Sequence, residues 1–162
     1  MGLDLTIKTK NKILHSGTGV FIRENGMNRE LKTLDEVKQY FPNSDLSHIE
    51  EYEYYDDELF NMNITHNLFK MAENVVVKDG INLCLLLWKP KSIGFEFVDD
   101  KYIKYINDSL KILLSDKDRL EKYNPENGWG NYDVLLNFVC KLATVLNSID
   151  LSMDHCEIIS DV

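Results

Sequence analysis

The sequence is short of positive charge: 18 Lys and Arg stand against 27 Asp and Glu, a net of −9 at neutral pH. A surface built to neutralise phosphates advertises clustered Lys and Arg, so neither direct nucleic-acid binding nor adsorption to an anionic membrane is expected. The converse stays open, because an acidic face can dock on a basic groove that normally holds nucleic acid. Cysteine is scarce too. Cys84, Cys140 and Cys156 are odd in number and have no short paired spacing, which fits buried thiols in a reducing cytoplasm better than a disulfide framework. Long apolar runs are missing: "CLLLW", Cys84 to Trp88, falls far below the roughly 20 residues that cross a bilayer. The opening "MGLDLTIKTK" lacks the basic-then-apolar order of a signal peptide. A cytoplasmic protein with no membrane partner is the expectation. The Asn-x-Ser/Thr triplets at Asn63 and Asn107 carry no meaning without secretion.

Chemical motifs are absent as well. The sequence holds no Gly-x-Ser-x-Gly, no Walker loop, no Gly-x-Gly-x-x-Gly and no His-Glu-x-x-His. His155 next to Cys156 has no second pair at a metal-ligand spacing. The adjacent carboxylates Asp56–Asp57 and Asp99–Asp100 read as solvated or helix-starting residues. No catalytic residue, metal site or cofactor is assigned on these grounds, and binding is a better expectation than catalysis.

What is present fits one compact domain. With 162 residues and 44% hydrophobic content the chain can bury a genuine core. The pattern is α+β: a small antiparallel sheet packed against two to four helices. Leu3 to Lys8 alternates like a half-buried strand, and "KILHSGTGVFI" suggests a hairpin turned by Gly17 and Gly19. "KTLDEVKQYF" offers Thr33 as N-cap and Glu36 as its capping-box partner, and stops at Pro42. One or two strands should follow from Glu50, leading into a helix around Asn67 to Asn74. "DDKYIKYINDSLKILLSD" is a helix started by Asp99 or Asp100, with Ile103, Ile106, Leu110 and Leu113 as its apolar stripe. "YDVLLNFVCKLATVLN" repeats the pattern with Leu135, Phe138, Leu142 and Val145, and "DHCEIISDV" can return as a final edge strand.

Three constellations stand out. In "NPENGWGNYD" Trp129 sits between Gly128 and Gly130. The simplest reading folds the indole back as a plug on the two flanking helices. The functional one joins Trp129 with Asn124, Asn127 and Tyr132 in a ligand or partner pocket. In "NMNITHN", Asn61, Asn63, Thr65, His66 and Asn67 crowd a strand-to-helix junction, as caps or as a site in which His66 binds or moves protons. In "EEYEYYDDE", Glu50, Glu51, Glu53, Asp56, Asp57 and Glu58 interleave with Tyr52, Tyr54 and Tyr55. This is either an edge strand protected by charge or an acidic, aromatic surface for a basic partner. The window 30–60 holds ten acidic residues against Lys32 and Lys38, so a strongly negative lobe is expected there.

The segments "MGLDL", "NITHNLFKMA", "LWKP" followed by Ile93-Gly94, and "YNPENGWGNYDVLLNFV" together resemble a family of uncharacterised small bacteriophage and mobile-element proteins. The likeness covers the first residues and most of Asn63 to Leu146, leaving 30–60 as a variable acidic segment. It carries no catalytic residue across. It implies a genomic setting in which a small acidic protein inhibits a host nucleic-acid-directed defence protein, as anti-CRISPR proteins do, with the Glu50 to Glu58 face in a basic groove. The competing expectation is a small-molecule pocket, for a nucleotide for instance, formed by Asn63, Thr65, His66 and Asn67 with Asn124, Asn127, Trp129 and Tyr132.

Overall fold

The structure is a computed structural model that describes residues 2–14, 18–45 and 52–162, with side chains at 2–9, 18–45 and 57–162. The turn expected at Gly17 and the residues Glu50 and Glu51 lie outside the described residues. The chain forms two compact units, one of residues 1–10 and 56–162, the other of residues 11–55. The class is α+β, as the sequence pattern indicates.

The larger unit is built on a three-stranded sheet ordered β4-β1-β7, in which β1 is Gly2–Leu14, β4 is Tyr52–Thr65 and β7 is Cys156–Asp161. Alternation along β1 buries Leu3, Leu5 and Ile7 completely, as period-two patterning requires. The strand β7 runs antiparallel to β1, with Leu5 opposite Ser160 and Ile7 opposite Ile158. The tail therefore returns as an edge strand, as expected from its sequence.

Helices cover the sheet because their caps and stripes agree. A 3-10 turn at His66–Leu68 leads into α2 (Phe69–Glu73). After the small hairpin β5 (Val76–Lys78) and β6 (Ile81–Asn82), Asn82 caps α3 (Leu83–Trp88) by accepting from the Leu85 N–H at 2.9 Å. The run "CLLLW" is thus a short, wholly apolar helix inside the core. Asp99 caps α4 (Asp100–Ser115) through the Tyr102 N–H at 2.7 Å. The short α5 (Lys117–Leu120) follows, and then α6 (Tyr132–Asn147), capped by Asn131. The inward face of α4 is rotated from the expected stripe. Ile106 and Leu113 are fully buried, whereas Ile103 and Leu110 are only half-buried and Tyr102, Tyr105 and Ser109 take the inner positions. Tyr102 can do so because its hydroxyl donates to the Leu86 carbonyl at 3.0 Å, so its ring is buried without an orphaned donor. On α6, Leu135, Phe138 and Leu142 are buried as expected, with Leu146 rather than Val145 completing the row. Asn107 and Asn147 pair reciprocally across α4 and α6 at 3.0 and 2.9 Å.

The smaller unit contains β2 (Phe21–Glu24), β3 (Met27–Glu30) and α1 (Leu34–Tyr40). The turn expected at Gly17 lies outside the described residues. Among the described residues β2 pairs with β3, through a turn at Asn25 and Gly26 with φ of 54° and 78°. That Asn-Gly pair is the residue signature of a type I′ turn, whose twist matches the strands it joins. Helix α1 begins as expected, Thr33 accepting from the Glu36 N–H at 3.2 Å. The Glu36 carboxylate accepts from the Lys32 N–H at 2.9 Å, one residue before the cap. Among the described residues of this unit, Leu31 and Val37 are buried apolar residues.

Candidate functional site

The segments singled out in the sequence meet in space. Gly2 lies against the end of β4 so closely that a Cβ there would stand 2.9 Å from the Ile64 carbonyl. Asn63 donates to the Asp4 carboxylate at 2.9 Å. Gly130 approaches Thr65 and Leu68, and a Cβ at Gly130 would fall 2.6 Å from Thr65 Cγ2. Asn67 donates to the Trp129 carbonyl at 3.4 Å. The ring of His66 lies 5.1 Å from Phe69 and 6.4 Å from Trp88. "MGLDL", "NITHN", "LWKP" and "NGWG" therefore form one junction.

The polar groups of this junction mostly serve the backbone. Thr65 caps the 3-10 turn by accepting from the Asn67 N–H at 3.3 Å. Asn127 accepts from the Trp129 N–H at 3.0 Å, and Asn124 accepts from the Tyr132 N–H at 2.8 Å. Tyr132 itself is buried, with its hydroxyl donating to the Leu113 carbonyl. Thr65, Asn67, Asn127 and Trp129 are thus brought together, while Asn63 turns to β1 and Tyr132 to the core. Asn124, Asn127, His66 and Asn67 are exposed.

Trp129 is not the plug that the sequence suggests: it is 71% exposed. The reason is local. Gly128 and Gly130 have φ of 74° and 89°, and the close approach they permit is spent on laying the backbone of Gly130 against Thr65 and Leu68. The indole is left facing solvent above a loop pinned at both ends.

The acidic run is divided by the described boundary. Tyr52, Glu53, Tyr54, Tyr55 and Asp56 lie on β4, with side chains outside the described residues, and Asp57 and Glu58 are exposed on the same strand. The strand is an edge, because β1 flanks it on one side and no strand among the described residues flanks it on the other. The window from Glu30 leaves out Arg23 and Arg29, and the unit of residues 11–55 carries five basic and eight acidic residues, against thirteen and nineteen elsewhere. Arg29 bonds Glu24 at 3.0 Å, Glu36 at 2.5 Å and the Tyr40 hydroxyl at 3.2 Å. Its hydrogen bond holds the Glu36 carboxyl below the usual glutamate range.

Two concavities escaped the sequence reading, because each joins residues distant in sequence. One of about 430 Å³ lies between β4 and α6 and is lined by Leu59, Met62, Cys140, Lys141, Thr144 and Val145 among others. The other, about 290 Å³, lies between Trp88–Lys91 and Glu157–Ser160 of β7. Trp88 also carries a buried indole N–H without a hydrogen-bond partner. Burial pushes the Cys84 thiol up to about 12 and raises that of Cys156, the reverse of what a nucleophilic thiolate needs. No group of three or more His, Cys, Asp or Glu among the described residues is placed to hold a metal ion. No helix among them is long and apolar enough to cross a membrane.

Comparison with protein-family models, with curated proteins and with solved structures found no match.

Proposed function

We propose that this is a non-enzymatic binding protein whose acidic strand occupies the basic, nucleic-acid-binding groove of another protein, acting as an inhibitor of a host defence system would. The carrying observation is the position of the run: Glu53, Asp56, Asp57 and Glu58 fall on an edge strand, and Asp57 and Glu58 are exposed there. Exposed carboxylates keep their hydration in the free protein and meet Arg or Lys on a partner as it docks, steering association by long-range attraction. The resemblance to phage and mobile-element proteins supplies the setting, and a cytoplasmic location belongs to the same proposal. Reversing Glu51, Glu53, Asp56 and Asp57 to Lys abolishes association while leaving the thermal transition in place, and binding of the unmodified protein weakens as salt rises toward 0.5 M. Undiminished affinity after charge reversal contradicts the proposal.

A second reading is favoured by the junction of Asn67 and Trp129. An exposed indole on a pinned loop, beside the exposed Asn67 and Asn127, can stack on a flat ligand such as a nucleobase. Thermal melts with a nucleotide panel test it. A ligand at a hundred times its dissociation constant stabilises by about 2.7 kcal/mol, and flat melts across the panel remove this reading.

A further inference from the structure

We infer that the pocket between Trp88–Lys91 and β7 binds a free aliphatic α-amino acid, its ammonium on the Ile158 carbonyl and its carboxylate on the Ser160 N–H. Neither the acidic strand nor the Trp129 loop takes part. The Ile158 N–H donates to the Glu96 carbonyl and the Val98 N–H donates to the Cys156 carbonyl, each at 2.9 Å. Cys156 and Ile158 therefore turn backbone groups away from β1, and alternation puts the Ile158 carbonyl and the Ser160 N–H on that same side. The segment that pairs with β7 there does not continue past them. Gly94 takes a φ of 89°, and the Phe95 N–H turns to the Pro90 carbonyl at 2.9 Å. Ile158 and Ser160 line the pocket of about 290 Å³ instead. No hydrogen bond among the described residues reaches the Ile158 carbonyl or the Ser160 N–H.

An acceptor and a donor two residues apart on one side of a strand match a single amino-acid unit lying parallel to it. The amino group of that unit donates to the first and its carboxyl group accepts from the second. The walls carry matching charge, with Glu157 beside Ile158 on β7 and Lys89 and Lys91 on the opposite wall. Ser160 marks the carboxylate end. Its hydroxyl donates to the Leu87 carbonyl at 2.7 Å, which brings Trp88 and Lys89 close behind. Trp88 is buried, and its indole N–H has no acceptor among the described residues, a cost that a ligand's carboxylate removes. Pro90, Ile158 and Ile159 supply apolar lining for an aliphatic side chain. Ligand pockets run from roughly 300 to 1,000 Å³, so this one suits a single amino acid better than a nucleotide.

Isothermal titration of the full chain with L-leucine, L-isoleucine and L-valine, with thermal melts alongside, tests this. At least one of the three binds at millimolar concentration or below and raises the melting temperature. Blocking either charge of that amino acid, as its amide or its N-acetyl derivative, weakens binding about tenfold or more through loss of a charge-assisted hydrogen bond. Lys89→Ala, at an exposed position, weakens the amino acid by a similar factor and has little further effect on the amide. Glu157→Gln weakens the amino acid and has little further effect on the N-acetyl derivative. Trp129→Ala changes none of these affinities. Absence of heat and of any thermal shift with all three amino acids at millimolar concentration overturns the inference. An N-acetyl derivative that binds as tightly as its parent overturns the free amino acid and assigns the pocket to the C-terminal residue of a peptide. Binding that survives both Lys89→Ala and Glu157→Gln, or that is lost with Trp129→Ala, overturns the placement in this pocket. The acidic-strand reading stands or falls separately, on variants of β4.

Discussion

The loop of residues 124–131 and the edge strand β4 are both crowded with polar side chains, yet they use them in opposite ways. In the loop the side chains turn onto backbone: Asn124 accepts from Tyr132, Asn127 from Trp129, and Asn131 from Val134. On the strand, Asp57 and Glu58 are exposed, and among the described residues Asn61 donates to Glu58 at 3.4 Å. Polar residues that satisfy a neighbouring backbone build shape, whereas polar residues left to water are available to a partner. The large apolar residue of the loop follows the same logic, since the asparagines fix the backbone that holds Trp129 out.

The sharpest test of the loop's scaffolding role is Gly130→Ala. The positive φ and the close Thr65 contact predict a loss of about 2–4 kcal/mol in denaturant unfolding. A loss below about 1 kcal/mol would mean that the junction with Thr65 is slack. Next, Asn124→Ala removes a hydrogen bond to a part-buried N–H at the start of α6 and should cost about 1–2 kcal/mol by the same measurement. Trp129→Ala should change stability by less than about 0.5 kcal/mol, since its indole is already exposed. A loss of several kcal/mol would restore the plug. On the strand, Asp57→Asn with Glu58→Gln should likewise leave stability within about 0.5 kcal/mol while weakening partner binding. The smallest effect concerns Glu36, in the other unit. Its carboxyl is held below the ordinary value by Arg29 first and by the Lys32 N–H second. A depressed value stabilises the fold above the ordinary glutamate range, and that contribution fades as pH falls through the folded value. Acid titration followed by NMR should place Glu36 low, and Arg29→Ala should return it toward the ordinary value.

Much of this fold was legible because its signals are local. Thr33, Asp99 and the alternation of Leu3, Leu5 and Ile7 each declare a cap or a strand within a few residues, and each stands where the sequence puts it. The β2–β3 turn was equally local, but the glycines upstream of Phe21 competed with Asn25 and Gly26 for the same hairpin. The rotated face of α4 was less accessible. A helical period locates an apolar stripe, but the burial of Tyr102 depends on a carbonyl of α3 16 residues away. The site divides in the same way. Asn and Thr caps could be read from residue type, whereas the meeting of Asn67 with Trp129, 62 residues apart, and the groove between β4 and α6 arise only when the chain closes.

The most direct test of the central claim is capture of the partner from host lysate after nuclease treatment, with the partner identified by mass spectrometry. The unmodified protein is compared with the Glu51, Glu53, Asp56 and Asp57 charge reversal and with Trp129→Ala. The account predicts a basic nucleic-acid-handling protein whose capture survives nuclease, persists with Trp129→Ala and disappears on charge reversal. Capture that survives charge reversal, or that is lost with Trp129→Ala alone, would contradict it.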